Sequence, residues 1–394
     1  CHRHDYLKDG ETECEICWTL KQMSGNILKG DFFTVTSKKE KTCLPLPGNC
    51  YLVTDTESTL RKRMKEDNYY IRSYSKNKPY SGYYVSTKLW VGDYVNGETF
   101  EELGQRATGI ERIAVMRADV DNLGQAFVRG FENEKNGSKY VTLSRTATFS
   151  RKLSMFFKYH INSLLKEGGY SILEEEAQME KEDDRRNALI VYSGGDDIFI
   201  VGAWDDIIGF AVDLHDNLME YSQDTLKISA GIGIYPSKYP ISIMARETGW
   251  LEEAAKSVEG KNAVALFDEK YTFPWEEFIE NVVEEKLYFI QKYFKVVDEK
   301  GKNFLYNLLE LVRKRKGDKI NIARFAYLLG RMEPKVQRGE KKEEIEEKRD
   351  LHREFSRKMY EWIRVEKDAK ELEMAIYLYV YTKREKEEHD GVNE

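Results

Sequence analysis

Apolar residues change their spacing several times along this chain, and each change predicts a different kind of element. From about Asn26 to Thr108, short β-type runs such as Phe32-Phe33-Thr34-Val35 and Tyr83-Tyr84-Val85 alternate with charged and Gly/Pro turns, which predicts a β-rich linking region. From Arg112 a strand-like run ends in Asp119; Leu123, Ala126, Phe127 and Gly130 then fall at helical spacing, so strand passes to helix through Val120-Asp121-Asn122. Phe149, Leu153, Phe156, Phe157, Ile161 and Leu164 predict an amphipathic helix that Gly168-Gly169 stops. Ala188 to Ser193 and Ile198 to Val201 are apolar strands around Gly194-Gly195-Asp196-Asp197, a hairpin. Trp204 to Tyr221 reads as a helix, Lys227 to Tyr235 as a strand, Ile241 to Val258 as a helix and Val264 to Phe267 as a last strand.

The order β-α-β-β-α-β is the ferredoxin-like arrangement. After Pro274 the chain turns to Glu, Lys, Arg, Leu, Phe and Tyr at helical period, with Pro334 the one later proline, and predicts an all-helical domain. Within it Lys335 to Asp350 is a mixed-charge run expected as a solvated loop or exposed helix face. The expected class is α+β: an N-terminal lobe at 1–25, the β-rich region at 26–108, a ferredoxin-like palm at 109–270 and a helical C-terminal domain at 271–394.

Composition narrows the functional classes. The chain has 394 residues, with 62 Lys and Arg against 69 Asp and Glu, a net charge of −7, so contact with nucleic acid must rest on local patches. A hydrophobic content of 41% excludes general disorder, and no apolar run approaches the roughly 18 residues that span a bilayer. The 394 residues do not open on a charged-then-apolar leader and the five cysteines fall within the first fifty positions, so a cytoplasmic protein without membrane contact is expected. A start at Cys1 suggests a segment of something longer.

Cys14-Glu-Ile-Cys17 has the spacing at which two thiolates take adjacent corners of a structural zinc site. Cys1 or His4 could supply a third ligand, and His2 or residues upstream a fourth; the competing reading is chance thiols in a polar lobe. Cys43 and Cys50 bracket a rigid Leu-Pro-Leu-Pro-Gly turn and carry no chemistry beyond a low expectation of pairing or extra ligation.

The sharper chemistry lies in three carboxylates. Asp196 and Asp197 sit at the hairpin turn, and Asp119 ends a strand of the same unit, so a shared sheet would bring them within several Å. Clustered carboxylates repel unless divalent cations occupy them, and oxygen ligands suit Mg²⁺ or Mn²⁺. Two such ions are the usual device for in-line phosphoryl displacement. Gly194 and Gly195, lacking Cβ atoms, would let a nucleotide approach closely, and Asp121 or Asn122 could cap the following helix and turn its amides to phosphates. Ala255 to Asn262 sets lysine beside glycine at a helix exit, where an ammonium could meet a triphosphate or simply balance the helix dipole.

Four segments in this order, Met116-Arg-Ala-Asp119-Val-Asp-Asn-Leu-Gly124, Ser150-Arg-Lys-Leu-Ser-Met-Phe-Phe157, Tyr192-Ser-Gly-Gly-Asp-Asp-Ile-Phe199 and Gly260-Lys-Asn-Ala-Val264, resemble the second palm domain of the large subunit of type III CRISPR effector complexes, most closely the Csm (type III-A) branch. With the Cys-x-x-Cys lobe before and the helical domain after, the resemblance covers nearly the whole chain. It implies a polymerase- and nucleotide-cyclase-type palm, related to diguanylate cyclases, that makes cyclic oligoadenylate from ATP when target RNA is bound. It implies as partners the other effector subunits, CRISPR RNA and target RNA. It implies Ser150 near the adenine, and it fits Asp119, Asp196 and Asp197 as catalytic ligands of two Mg²⁺ or Mn²⁺ ions, with Lys261 at the triphosphate and Gly194, Gly195 and Asn122 also at the nucleotide; for zinc, Cys14 and Cys17 with Cys1 and His4 remain the candidates from spacing. Neither a His-Asp nuclease motif nor a first palm domain is found in these residues, so DNA cleavage is not carried over, and a first palm from an upstream segment or second chain is expected as a partner. Two rivals stand beside this reading: a palm that only scaffolds the complex, and a diguanylate-cyclase relative, against which Asp197-Ile198 stands where Glu then Phe is usual.

Overall fold

The computed structural model describes residues 13–66, 68–78, 87–132, 135, 137–179, 185–297, 303–315, 320–334 and 342–384. The chain divides into two compact units, Cys1–Asp93 with Ser150–Asn162, and Tyr94–Phe149 with Ser163–Glu394.

In the first unit, helix α1 (Glu15–Lys29) precedes a five-stranded sheet of β1 (Phe32–Thr36), β2 (Leu44–Leu46), β3 (Cys50–Asp55), β4 (Tyr70–Lys76) and β5 (Thr87–Leu89), with helix α2 (Glu57–Glu66) between β3 and β4. The strands lie in the order β2-β3-β1-β4-β5, with β1 central and wholly buried. The buried Lys76 ammonium sits on the carbonyls of Ile27 at 3.0 Å and Leu28 at 2.7 Å, where it neutralises the negative end of α1, and pairs with Asp93 at 2.7 Å. The expected strand at Phe32 to Val35 is β1, whereas Tyr83 to Val85 lies outside the described residues.

The second unit is built on a six-stranded sheet. Helix α3 (Phe100–Arg106) leads into β6 (Ile113–Val120), followed by α4 (Leu123–Arg129), α5 (Leu143–Met155) and α6 (Ile161–Glu167), of which Ser150–Asn162 belong to the first unit, and α7 (Glu175–Met179). Then come β7 (Ala188–Ser193), β8 (Asp197–Ala203), α8 (Trp204–Ser222), β9 (Ile228–Tyr235), α9 (Ile241–Lys256), β10 (Ala263–Leu266) and β11 (Thr272–Pro274). The helix expected from Phe149 begins at Leu143 and passes through a π-helical turn, Phe156–His160, before α6; Gly168, with φ +63°, follows its end.

The sheet order is β11-β10-β9-β6-β8-β7. Around β6 all pairings are antiparallel, and α9 crosses from β9 to β10, which runs parallel to β9 and is the last strand expected at Val264 to Phe267; β11 adds a strand that was not expected. Ile113 and Val115 pack with Leu103 of α3 and Met244 of α9, so by the two-residue period Arg117 and Asp119 continue the same face. Helix α9 lies directly on this face because β9 carries a glycine under it: a Cβ on Gly231 would stand 2.4 Å from the Glu252 nitrogen and 2.6 Å from the Thr248 oxygen.

The expected helical domain follows as a π-helical segment, Glu277–Leu287, and helices α10 (Tyr288–Val296), α11 (Asn303–Lys314), α12 (Ile320–Gly330), α13 (Lys342–Arg364) and α14 (Glu366–Lys383). Lys286 and Glu371, both buried, pair at 2.6 Å in its core, and Tyr271 after β10 donates to Glu373, which also accepts from Arg313 at 2.8 Å. Of the charged run, 342–350 opens α13 and 335–341 lies outside the described residues. Among the described residues no helix is long and apolar enough to cross a membrane.

Candidate functional site

The acidic residues meet where β6 ends and the β7–β8 hairpin turns. The Gly194 amide donates to the Asp197 carbonyl at 2.8 Å, which closes the turn over Gly195 and Asp196, so Asp197 is the first residue of β8 and not a tip residue. There it stands directly opposite Asp119 across the antiparallel pair. The Val120 amide donates to the Asp196 carbonyl at 3.2 Å and fixes the turn to the end of β6.

The space over Gly194 is taken by two side-chain ends. A Cβ there would lie 2.3 Å from Oδ1 of Asp197 and 2.5 Å from the Tyr192 hydroxyl, which meet over the bare Cα. The Tyr192 phenol donates to Asp197, and the carboxylate raises its pKa. The space expected to admit a nucleotide at Gly194 holds this hydrogen-bonded pair instead.

The electrostatics are those of crowded carboxylates beside one cation. Burial first, then the charges of Asp119 and Asp197, raise the pKa of Asp196 above the ordinary carboxylate value, against the pull of Lys256. The Lys256 ammonium, at the last residue of α9, lies 2.5 Å from Oδ2 of Asp119 and 2.6 Å from Oε1 of Glu252. Burial lowers its pKa, but the two carboxylate hydrogen bonds outweigh that and raise it overall. Oε2 of Glu252 holds the Arg117 guanidinium at 3.1 Å. The carboxylates of Asp119, Asp196, Asp197 and Glu252 and the Arg117 guanidinium line a cavity of about 720 Å³ with Tyr192, Phe199 and Ala245.

Asp121 does not join the acidic cluster. Its Oδ2 accepts from the Ser229 hydroxyl and the Asn262 amide, both at 2.9 Å, so it is a buried brace between β6, β9 and the entry to β10. The helix cap expected from Asp121 or Asn122 is absent: Asn122 adopts the left-handed conformation with no side-chain cap bond, and its carbonyl accepts from Gln125 and Ala126. The short side chain of asparagine tolerates that backbone better than most.

Lys261 lies past the end of α9, at φ +54°, and donates its amide to Val258. The lysine at the acidic cluster is Lys256, five positions earlier in the same quoted segment. Ser150 is exposed on α5 and belongs to the first unit. Cys14 is the N-cap of α1, its sulfur accepting from the Cys17 amide at 3.4 Å; Cys1 and His4 lie outside the described residues.

The donor set suits a hard divalent cation: three carboxylates, mutual repulsion that raises one pKa, and an ammonium already drawn onto Asp119 as a counter-ion. As they stand, no group of three or more His, Cys, Asp or Glu among the described residues is arranged to hold a metal. Asp119 is turned to Lys256, and a divalent ion would take that ammonium's place.

Sequence reasoning missed Lys256, Glu252, Arg117 and Tyr192. The i, i+4 spacing of Glu252 and Lys256 and the two-residue spacing of Arg117 and Asp119 were visible, but only the packing of α9 on β6 shows that they face one another.

Comparison with known proteins agrees with this architecture. The Cas10/Cmr2 second palm domain matches residues 112–265, and the second helical domain of the Cmr2 subunit of the CRISPR RNA silencing complex matches residues 291–385. The chain is 42% identical over 383 residues to the CRISPR system single-strand-specific deoxyribonuclease Cas10/Csm1 (subtype III-A) of Mycobacterium tuberculosis, covering 96% of this chain and 45% of that protein. Two solved structures share its fold over 96% and 94% of its length and 50% of theirs: a Csm1-Csm4 cassette in complex with cA4, at TM-score 0.63 and 22% identity, and one in complex with one ATP, at TM-score 0.61 and 24% identity. The chain spans about half the length of the curated relatives it matches.

Proposed function

The chain belongs to the Cas10/Csm1 family, the large subunits of type III-A CRISPR effector complexes, and we propose that its palm is an ATP-dependent nucleotidyltransferase that makes cyclic oligoadenylate. The observation that carries the proposal is the direct opposition of Asp119 and Asp197 across β6 and β8, with Asp196 at the adjoining turn. The cA4 and ATP in the related structures support the substrate and product class.

In this reading Asp119, Asp196 and Asp197 hold two Mg²⁺ or Mn²⁺ ions. Bound there, the ions would supply activation of the attacking hydroxyl and neutralisation of the leaving pyrophosphate. Lys256 and Lys261 are the cations for the triphosphate, and Asn122 and Gly195 present backbone to the nucleotide. The 3′-hydroxyl of one ATP attacks the α-phosphorus of another, a 3′–5′ phosphodiester forms, and pyrophosphate leaves.

The four strands β9-β6-β8-β7 carry the ferredoxin-like split β-α-β pattern in this reading. Cys14 and Cys17 are two thiolates of a structural zinc site; a sulfur at the N-terminus of α1 favours the thiolate. The protein works in the cytoplasm with Csm4, other effector subunits, CRISPR RNA and target RNA, and draws its acceptor nucleotide from a first palm.

The test is labelled ATP with Mg²⁺ or Mn²⁺, given to the assembled complex with and without target RNA. Oligoadenylate should form with RNA, and the Asp196→Ala/Asp197→Ala variant should make none.

A further inference from the structure

We propose that Glu252 is a dock for Lys256, holding the lysine ammonium clear of Asp119 once a divalent cation binds there. The proposal rests on the metal reading above and adds a control to the same site: a tethered monovalent cation that competes with the divalent one.

Glu252 is only 7% exposed, yet it faces the catalytic cavity. A carboxylate so placed needs compensation, and each oxygen has one: Oε1 takes Lys256 at 2.6 Å and Oε2 takes Arg117 at 3.1 Å. With both oxygens engaged by cations, Glu252 serves as a counter-charge.

Its two contacts with the site differ in kind. Glu252 and Lys256 are four residues apart on α9, so the helix itself keeps them adjacent. Lys256 and Asp119 meet only because α9 lies on β6. A divalent cation on Asp119 repels the ammonium and breaks the second contact, while the first persists. Lys256 then stays on Glu252, which lines the cavity, beside the place where phosphates would lie. Without Glu252 the ammonium has Asp119 as its one acidic partner and holds it more tightly against the incoming metal.

The experiment is Mn²⁺ binding to the nucleotide-free 394-residue chain, read as free Mn²⁺ by electron paramagnetic resonance, with Asp119→Asn/Asp196→Asn/Asp197→Asn giving the background. Lys256→Met should bind Mn²⁺ about two- to fivefold more tightly, the range for losing one partly exposed ion pair. Glu252→Gln should bind it more weakly by a similar factor, and that weakening should vanish in the Lys256→Met background, because the glutamate acts through the lysine. Since Glu252 is buried, Lys256→Met, changed at a partly exposed side chain, is the arm that survives a folding defect in the glutamine variant. Equal weakening by Glu252→Gln in both backgrounds would reduce it to a distant charge and overturn the dock, as would unchanged affinity in Lys256→Met. No Mn²⁺ bound by wild type or Lys256→Met would overturn the metal reading itself, and the dock with it.

Discussion

Lys256 of α9 and Asp119 of β6 are 137 residues apart in sequence and 2.5 Å apart in space. That contact ties the end of the helix to the end of the strand that carries the acidic cluster. It depends on the helix lying close to the sheet, which Gly231 permits. In Gly231→Ala the new methyl meets backbone atoms of Thr248 and Glu252, which cannot rotate away. The expected cost is about 1–3 kcal/mol, as for other overpacked contacts. Urea unfolding checks it; a variant as stable as the parent would show that α9 is not held by this contact.

Gly194 presents the opposite case. The atoms its Cβ would strike are the ends of the Asp197 and Tyr192 side chains, which can swing aside. Gly194→Ala should therefore melt within a few degrees of wild type while Asp197 is displaced, and a misplacement of that size costs on the order of 100-fold in turnover. Tyr192→Phe keeps the shape, loses the hydrogen bond to Asp197, and should fall between the two. Melting curves and ATP turnover on the same samples separate these outcomes; full turnover in Gly194→Ala would contradict them.

Asp196 gives the pH dependence. Burial and the neighbouring charges of Asp119 and Asp197 raise its pKa in the folded protein above the value in the unfolded chain, so the folded state binds this proton more tightly. In EDTA, its contribution to stability falls as pH rises from the ordinary carboxylate value through the raised one, and stays low at neutral pH. Asp196→Asn should thus be the more stable protein at neutral pH, with the difference closing toward about pH 4. Melts across that range read the effect, and a less stable Asn variant at neutral pH would contradict it.

In the helical domain the buried pair of Lys286 and Glu371 predicts a sign reversal. Glu371→Ala removes the buried partner and leaves the Lys286 ammonium to the more exposed Glu285 at 3.0 Å and Asp368 at 3.8 Å, and should cost about 1–3 kcal/mol. Lys286→Met with Glu371→Leu removes both charges and should recover most of that loss. Denaturant unfolding of the single and double variants decides it.

The alternation of apolar residues located β6, β7, β8 and β9 and the helices α8 and α9 to within a residue or two, because buried strands and long amphipathic helices carry strong periodic signals. The acidic residues were legible for the same reason: Asp119 closes one apolar run and Asp196-Asp197 interrupt two others. What the spacing hid was everything set by one element lying on another. Lys256 and Lys261 look alike in sequence, and only the docking of α9 on β6 distinguishes them. Asp121 follows Asp119 at strand period, but the strand ends at Val120 and Asp121 turns to Ser229 and Asn262.

The central claim is that Asp119, Asp196 and Asp197 join ATP molecules. The direct measurement is conversion of α-³²P-labelled ATP to oligoadenylate by the assembled effector complex with Mn²⁺ and target RNA, comparing wild type with Asp196→Ala/Asp197→Ala under matched folding and RNA binding. Wild type should give labelled oligoadenylate and released pyrophosphate and the variant none above background; equal product from both would rule out Asp196 and Asp197 as the residues that carry the reaction.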